Sequence, residues 1–186
     1  DADSPEWCAT HSIYPLRPCG VEADKPPITM TSVILLLGSN DEHAAQIISS
    51  AVKCIDASIG KLVKLSAEYH SEAYGFTSER EFINRAVEIT TELDAYEVLR
   101  RINLIEALFG RDREVENRAK EASGESYASR PIDIDIIFYG DETFSDSRLT
   151  IPYHFLDERE YALRPVAEIA PERKHPKLDK TPGQML

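Results

Sequence analysis

Apolar residues follow two different periods along this chain, and the switches between them lay out its elements. The run Ser32-Val33-Ile34-Leu35-Leu36-Leu37 reads as a buried strand starting at Thr31, closed by a turn at Gly38-Ser39-Asn40. Ala44, Ile47, Ile48, Ala51, Val52 and Ile55 then recur at helical spacing, with Asn40 or Asp41 placed to cap the helix. A strand from about Lys61 to Ser71, a glycine-containing loop from Glu72 to Glu81 and a strand from Phe82 to Leu93 follow. Asp94-Ala95-Tyr96-Glu97 reads as a capping box ahead of a second helix, whose Val98, Leu99, Ile102, Ile105 and Phe109 share one face before Gly110 ends it. Residues 111–129 are charged and without periodicity, so a long loop is predicted there. Past the next strand come a turn at Gly140-Asp141, an extended piece to Ile151-Pro152, and a helix from about Tyr161 to Ile169 stopped by Pro171. The order β-α-β-β-α-β predicts an α+β fold with a ferredoxin-like core, a mostly antiparallel sheet with helices packed on its faces. Topology of this kind carries no function by itself.

Residues 1–29 hold Pro5, Pro15, Pro18, Pro26 and Pro27 and no sustained period, which reads as an extension or linker rather than an independent domain. Residues 30–186 form the one folded domain, and Met30 stands where a native start would fit.

The strand within Arg130-Pro131-Ile132-Asp133-Ile134-Asp135-Ile136-Ile137-Phe138 carries the most chemistry. Side chains alternate across a strand, so Ile132, Ile134 and Ile136 face a core while Asp133 and Asp135 share the other side. The two carboxylates then sit roughly 6.5 Å apart along the strand. Hard divalent cations such as Mg²⁺ suit that spacing, since Mg²⁺ takes one or two protein carboxylates and fills the rest with phosphate and water oxygens. Arg111, Arg113, Arg118, Lys120, Arg130, Arg148 and Arg159 gather around this strand in sequence, and guanidinium groups bind phosphate oxygens bidentately.

Composition narrows the partners. With 33 acidic against 21 basic residues and a net charge of -12, the chain is a poor match for nucleic acid or an anionic membrane. No apolar run approaches the length of a membrane span, and the three cysteines show neither C-x-x-C nor Cys/His metal spacing. A cytoplasmic location in a reducing compartment is expected. There is no Walker loop, no G-x-G-x-x-G and no nucleophile elbow, which leaves covalent catalysis and the two commonest nucleotide folds without support.

Four strings in one order, LLLGSN, IEALFGRDR, RPIDIDIIFYG and IPYHFLDEREYALRPVAEIAP, run from about Thr31 to the C-terminus. Together they resemble the 6-hydroxymethyl-7,8-dihydropterin pyrophosphokinase family of folate biosynthesis. The resemblance implies transfer of pyrophosphate from ATP to the pterin hydroxymethyl with release of AMP. By the same resemblance Asp133 and Asp135 hold two Mg²⁺ ions, and with Arg111, Arg113 and Arg130 they form the catalytic set. Leu99, Asn103, Glu106, Arg111, Arg113, Arg130, Ile136, Arg148, Thr150, Tyr153 and Arg159 fall at nucleotide positions. Ser71, Ala73, Tyr74, Phe82, Asn84 and Tyr161 fall at pterin positions, with Phe82 and Tyr161 stacking and Asn84 reading the ring edge.

The family places His directly after the Pro of the last motif, whereas here Tyr153 takes that place and His154 follows. The contact is then lost, taken over by the Tyr153 hydroxyl, or recovered through a bulge. Residues 111–129 are expected to be mobile in the free protein and to close as a lid over both substrates. A monomer is expected, with association or fusion to other folate-pathway enzymes open. The alternative function is a catalytically weakened pterin- or nucleotide-binding module of the same fold, against which the intact Asp133, Asp135 and arginines argue. A phosphohydrolase would leave the aromatic pair and Asn84 without a purpose.

Overall fold

The computed structural model describes residues 29–74, 78, 80–124 and 130–186, so the expected extension at 1–29 lies almost wholly outside it. Its elements run β1 (Thr31–Ser39), α1 (Ala44–Ser58), β2 (Lys61–Leu65), β3 (Tyr69–Ser71), β4 (Phe82–Thr91), α2 (Ala95–Leu108), α3 (Arg113–Ser123), β5 (Asp133–Tyr139), β6 (Phe144–Ser145), β7 (Thr150–Ile151), α4 (Glu160–Ile169) and α5 (Pro182–Met185). The main sheet has the order β2-β4-β1-β5 with β3 also on β4, and every pairing is antiparallel. Taking β2 and β3 as one broken edge strand gives the ferredoxin-like arrangement expected from the element order. β6 and β7 pair separately. No helix among the described residues is long and apolar enough to cross a membrane.

β1 is central and buried on both faces, which is why its sequence is apolar without alternation. Val33, Leu35 and Leu37 pack with Ile48 and Ile55 of α1 and Ile102 of α2, and Ile34 and Leu36 pack with Leu163 and Val166 of α4. Ile134 and Ile136 of β5 join the first core as predicted. The register of β5 against β1 slips between Ile34 and Leu35, so Ile137 and Phe138 both turn to the α4 side.

Several local expectations are corrected. The strand predicted from Lys61 to Ser71 is two strands, broken where the Ala86 N–H goes to the Ser66 Oγ (2.9 Å) instead of to a strand carbonyl. Neither Asn40 nor Asp41 caps α1: Asn40 Oδ1 accepts the Arg130 N–H (3.2 Å), Asp41 Oδ1 accepts from the His43 N–H (2.9 Å), and His43 stands at the cap without a side-chain bond. Asp94 does cap α2, accepting from Tyr96 and Glu97, but Glu97 turns to Arg100 and Arg101 instead of reaching back, so only half of the box forms.

The largest correction is α3, an 11-residue helix inside the stretch read as loop. Asp112 Oδ1 accepts from the Glu114 and Val115 N–H groups (2.9 and 3.1 Å), Glu114 and Glu116 sit at the positive end of the helix dipole, and Gly124 closes it at φ 71°. Its residues are almost all polar, so no apolar stripe announced it. Residues 125–129 lie outside the described residues. α5, capped by Thr181 and Gln184, is likewise too short to mark itself in the apolar pattern.

Gly60, between α1 and β2, supplies a test of the packing. A Cβ there would stand 2.5 Å from the Thr90 carbonyl oxygen and 2.8 Å from Thr91 Cβ. Gly60→Ala is expected to destabilise the fold by about 2 kcal/mol, read as a lower urea midpoint with activity per folded molecule unchanged. An unaltered midpoint would show that the α1–β2 junction yields at no cost.

Candidate functional site

The strand register builds the floor of a site on the α4 side of the sheet. Gly38 of β1 pairs with Asn84 of β4 on one side and Asp133 of β5 on the other, and Leu36 pairs likewise with Ala86 and Asp135. Cross-strand partners share a face, so one row reads Asn84-Gly38-Asp133 and the next Ala86-Leu36-Asp135. Glycine in the middle of a strand weakens it, and here the gain is space: a Cβ at Gly38 would come within 3.2 Å of Asn84 Oδ1. The Asn84 carboxamide donates to Ser71 Oγ (2.9 Å), which fixes its plane.

Above this floor is a cavity of about 220 Å³ lined by Phe82, Asn84, Ser71, Tyr74, Tyr161, Arg159 and both acids among others. Tyr161, from the first turn of α4, lies 6.2 Å from Tyr74 between ring centroids. The buried Arg159 donates to the Tyr153 hydroxyl (2.6 Å) and the Tyr161 hydroxyl (2.9 Å), and its guanidinium lies 3.9 Å from the Phe155 ring centre. A flat polar ring with hydrogen-bonding edges fits such a space, with aromatic faces on the wall and an amide at the rim.

A second cavity of about 280 Å³ opens on the other side of the acid pair, lined by Leu99, Asn103 and Glu106 of α2, Arg111, Arg113, Ile136, and Arg148, Leu149 and Thr150 around β7. Asp133, Asp135 and Tyr153 line both cavities. The Arg148 guanidinium lies 4.7 Å from the Tyr96 ring centre, and the Tyr96 hydroxyl donates to Asp146 (2.6 Å), whose other oxygen accepts from the Arg148 and Leu149 N–H groups.

Charge is concentrated where the cavities meet. Arg111 spreads its guanidinium over three carboxylates: Nη1 reaches Glu106 and Asp133 at 2.5 Å each, and Nε reaches Glu116 at 2.8 Å. Arg130 Nη2 holds the second oxygen of Asp133 at 2.7 Å. Arg113 Nη2 reaches Glu106 at 2.6 Å. Burial works against the charged guanidinium of Arg111, yet Asp133, Glu116 and Glu106 outweigh it and hold the proton more firmly than usual. Glu106 is pushed up by burial in spite of its two arginines. Asp135 is pushed well above the usual carboxylate range, first by its burial and then by the negative Asp133. Burial, followed by Asp135, raises the Tyr153 phenol as well, so it stays a neutral donor.

The structure gathers nearly every residue singled out in the sequence. All the expected pterin positions except Ala73 line the first cavity, and all the expected nucleotide positions except Arg130 and Arg159 line the second. Those two arginines face the first cavity instead. Tyr153 faces both spaces while His154 faces only the first, which favours the hydroxyl over the imidazole at the shared wall. Three participants went unrecognised. In the sequence Gly38 marks a turn, Asn40 a turn or cap, and Glu116 is one charge among many in residues 111–129, although it is the one buried side chain described in α3. Nothing in a one-dimensional pattern marks Glu116, whereas the strand pairing of Gly38 with Asn84 and Asp133 follows once the topology is assumed.

Comparison with known proteins matches residues 34–171 to the family described as 7,8-dihydro-6-hydroxymethylpterin-pyrophosphokinase. The 2-amino-4-hydroxy-6-hydroxymethyldihydropteridine pyrophosphokinase of Methylorubrum extorquens is 38% identical over 144 residues, covering 77% of this chain and 85% of the relative. That of Aquifex aeolicus is 33% identical over 147 residues, 79% of this chain and 85% of the relative. Among solved structures, Plasmodium falciparum HPPK-DHPS wild type with pteroate superposes with a TM-score of 0.67 at 16% identity. The match covers 84% of this chain but only 44% of that one, so this chain spans less than half the length of that protein and shares its fold over that part.

The raised Asp135 sets a pH signature. Its folded pKa lies above the unfolded value, so the folded state binds the extra proton, and stability present at low pH is lost as pH rises through the folded pKa. Asp135→Asn removes this loss. In buffers free of divalent cations its melting temperature should match the wild type near pH 4 and exceed it progressively toward pH 9. A constant or reversed difference would show that the carboxyl is not destabilised in place.

Proposed function

The chain belongs to the 7,8-dihydro-6-hydroxymethylpterin-pyrophosphokinase family, and on that premise we propose that its first cavity takes the pterin and its second the nucleotide. Pyrophosphate then passes from ATP to the hydroxymethyl group of 6-hydroxymethyl-7,8-dihydropterin across the wall they share. The observation that carries this reading is the sharing itself: Asp133, Asp135 and Tyr153 line both spaces, so a hydroxyl from one side and a phosphate from the other meet over the acid pair.

Asp133 and Asp135 fit magnesium. They are hard oxygen donors on one strand face, and Asp135 is a buried carboxyl that gains from a cation beside it. Two Mg²⁺ ions bound there would neutralise the triphosphate and polarise the β-phosphorus. The chain's own residues do the rest by position. Phe82 and Tyr161 hold the pterin ring by its faces and Asn84 by its edge, while Gly38 leaves the ring room above the sheet. Leu99, Ile136 and Leu149 give the nucleotide base an apolar wall, and Asn103, Arg148 and Thr150 offer polar partners to base and ribose. Arg111, Arg113 and Arg130 face the negative charge that grows on the departing AMP and the transferred group. The pterin hydroxyl attacks the β-phosphorus, its oxygen–phosphorus bond forms as the bond to the α-phosphate oxygen breaks, and its proton leaves to solvent or phosphate. Proximity at the shared wall serves in place of a strong general base. Association with another folate-pathway enzyme is part of this reading, in keeping with the paired HPPK-DHPS name of the structural neighbour.

With ATP and Mg²⁺ the protein should release AMP only when 6-hydroxymethyl-7,8-dihydropterin is present; ADP and phosphate, or AMP without pterin, would contradict the reading. Asp133→Ala should lower the rate by roughly 10²-fold or more, with circular dichroism unchanged, whereas a variant of unaltered rate would remove Asp133 from the machinery. Gly38→Val should abolish pterin binding and spare MgATP binding in calorimetry. Equal loss of both ligands would mean that the two cavities are not separate sites.

A further inference from the structure

In the free protein Asp133 gives both of its oxygens to guanidinium groups, Oδ1 to Arg111 at 2.5 Å and Oδ2 to Arg130 at 2.7 Å. A carboxylate held by two arginines has the geometry that a phosphate would take between them. Asp135, two residues along the same face, has no such ion pair among the described residues. The two acids of one motif are therefore in different states before any ligand arrives.

We propose that Asp133 is an internal stand-in for phosphate: in the free protein it occupies Arg111 of the second cavity and Arg130 of the first, the arginines on either side of the shared wall where the phosphates of the nucleotide later lie, and binding is an exchange of ion pairs. This rests on the nucleotide reading of the second cavity and adds a role for Asp133 that a metal ligand alone would not have. Neither half of the exchange is favourable by itself. A cation taken by Asp133 takes one carboxylate away from Arg130 and from Arg111, which is only 6% exposed. A triphosphate taken by the arginines leaves the Asp133 carboxylate beside phosphate oxygens. When cation and triphosphate arrive together, Asp133 passes to the cation and the guanidiniums pass to phosphate, and every charge keeps a partner.

Glu106 and Glu116 make the exchange orderly. Glu106 is anchored by the Ile134 N–H (2.8 Å) as well as by Arg111, and Glu116 holds the Nε side of Arg111. A guanidinium released by Asp133 thus stays at the cavity wall instead of swinging into solvent. The consequence is selectivity for the metal complex of the nucleotide over the bare nucleotide, built into the free state.

The test is binding, not turnover. Isothermal titration at constant ionic strength is run with ATP in excess EDTA and with a Mg²⁺-loaded non-hydrolysable ATP analogue, on wild type, Asp133→Asn and Asp135→Asn. Asp133→Asn keeps the shape and removes the Asp133 charge from both arginines, so it should bind metal-free ATP roughly tenfold tighter than wild type while binding the Mg²⁺ complex more weakly. Asp135→Asn changes the other acid of the same wall without taking a partner from either guanidinium, and should gain clearly less for metal-free ATP. Metal-free affinity of Asp133→Asn equal to or below that of wild type, or a gain no larger than that of Asp135→Asn, would overturn the exchange. Failure of wild type to bind the Mg²⁺ complex at all would instead strike the nucleotide reading. Should Asp133→Asn not fold, Asp133→Ser serves the same comparison.

Discussion

A single buried carboxylate ties the acid-bearing strand to the rest of the molecule. Glu106, on the inner face of α2, accepts the Ile134 N–H at the free edge of β5 through Oε1, shares that oxygen with Arg111, and gives Oε2 to Arg113. An edge strand would otherwise carry an unpaired N–H. An acid there satisfies the strand and at the same time draws the two arginines from the start of α3 against it. Its burial raises its own pKa, and the arginines keep the arrangement from being merely costly. The position of Asp133 relative to Arg111 follows from this one junction.

The two faces of β5 explain why chemistry and stability coexist on one strand. Ile134 and Ile136 lock into the core with α1 and α2 while Asp133 and Asp135 look across Gly38 and Leu36 toward the space beneath α4. Asp133 or Asp135 can thus change without emptying the core. The cost is a crowded set of ionisable groups, four carboxyls (Glu106, Glu116, Asp133 and Asp135) against three guanidiniums (Arg111, Arg113 and Arg130). Such a set favours an added cation, and with it an added polyanion, more than either alone.

Most of the fold and much of the site were legible in the sequence, for reasons that differ by element. β1 and α1 declare themselves through apolar period, and the acid pair through its alternation with isoleucine, both of which are local signals. The expected pterin and nucleotide positions come from ordered motifs whose joint presence no single residue could supply. α3 escaped because a helix held by caps, dipole and one buried Glu116 has no apolar stripe to read, although Asp112 and Gly124 bracket it with ordinary start and stop signals. Gly38 and Asn40 escaped because their roles exist only across strands and loops distant in sequence. Asn40 meets Arg130 across 90 positions.

The central claim is that the pterin hydroxyl and the β-phosphorus of ATP meet over Asp133 and Asp135. The most direct measurement follows the label: the protein is incubated with Mg²⁺ and 6-hydroxymethyl-7,8-dihydropterin together with ATP carrying radioactive phosphorus at either the β or the γ position. Both labels should appear in the pterin product in equal amounts while an α label stays with AMP. Transfer of the γ label alone would place the hydroxyl at the wrong phosphorus and contradict the account.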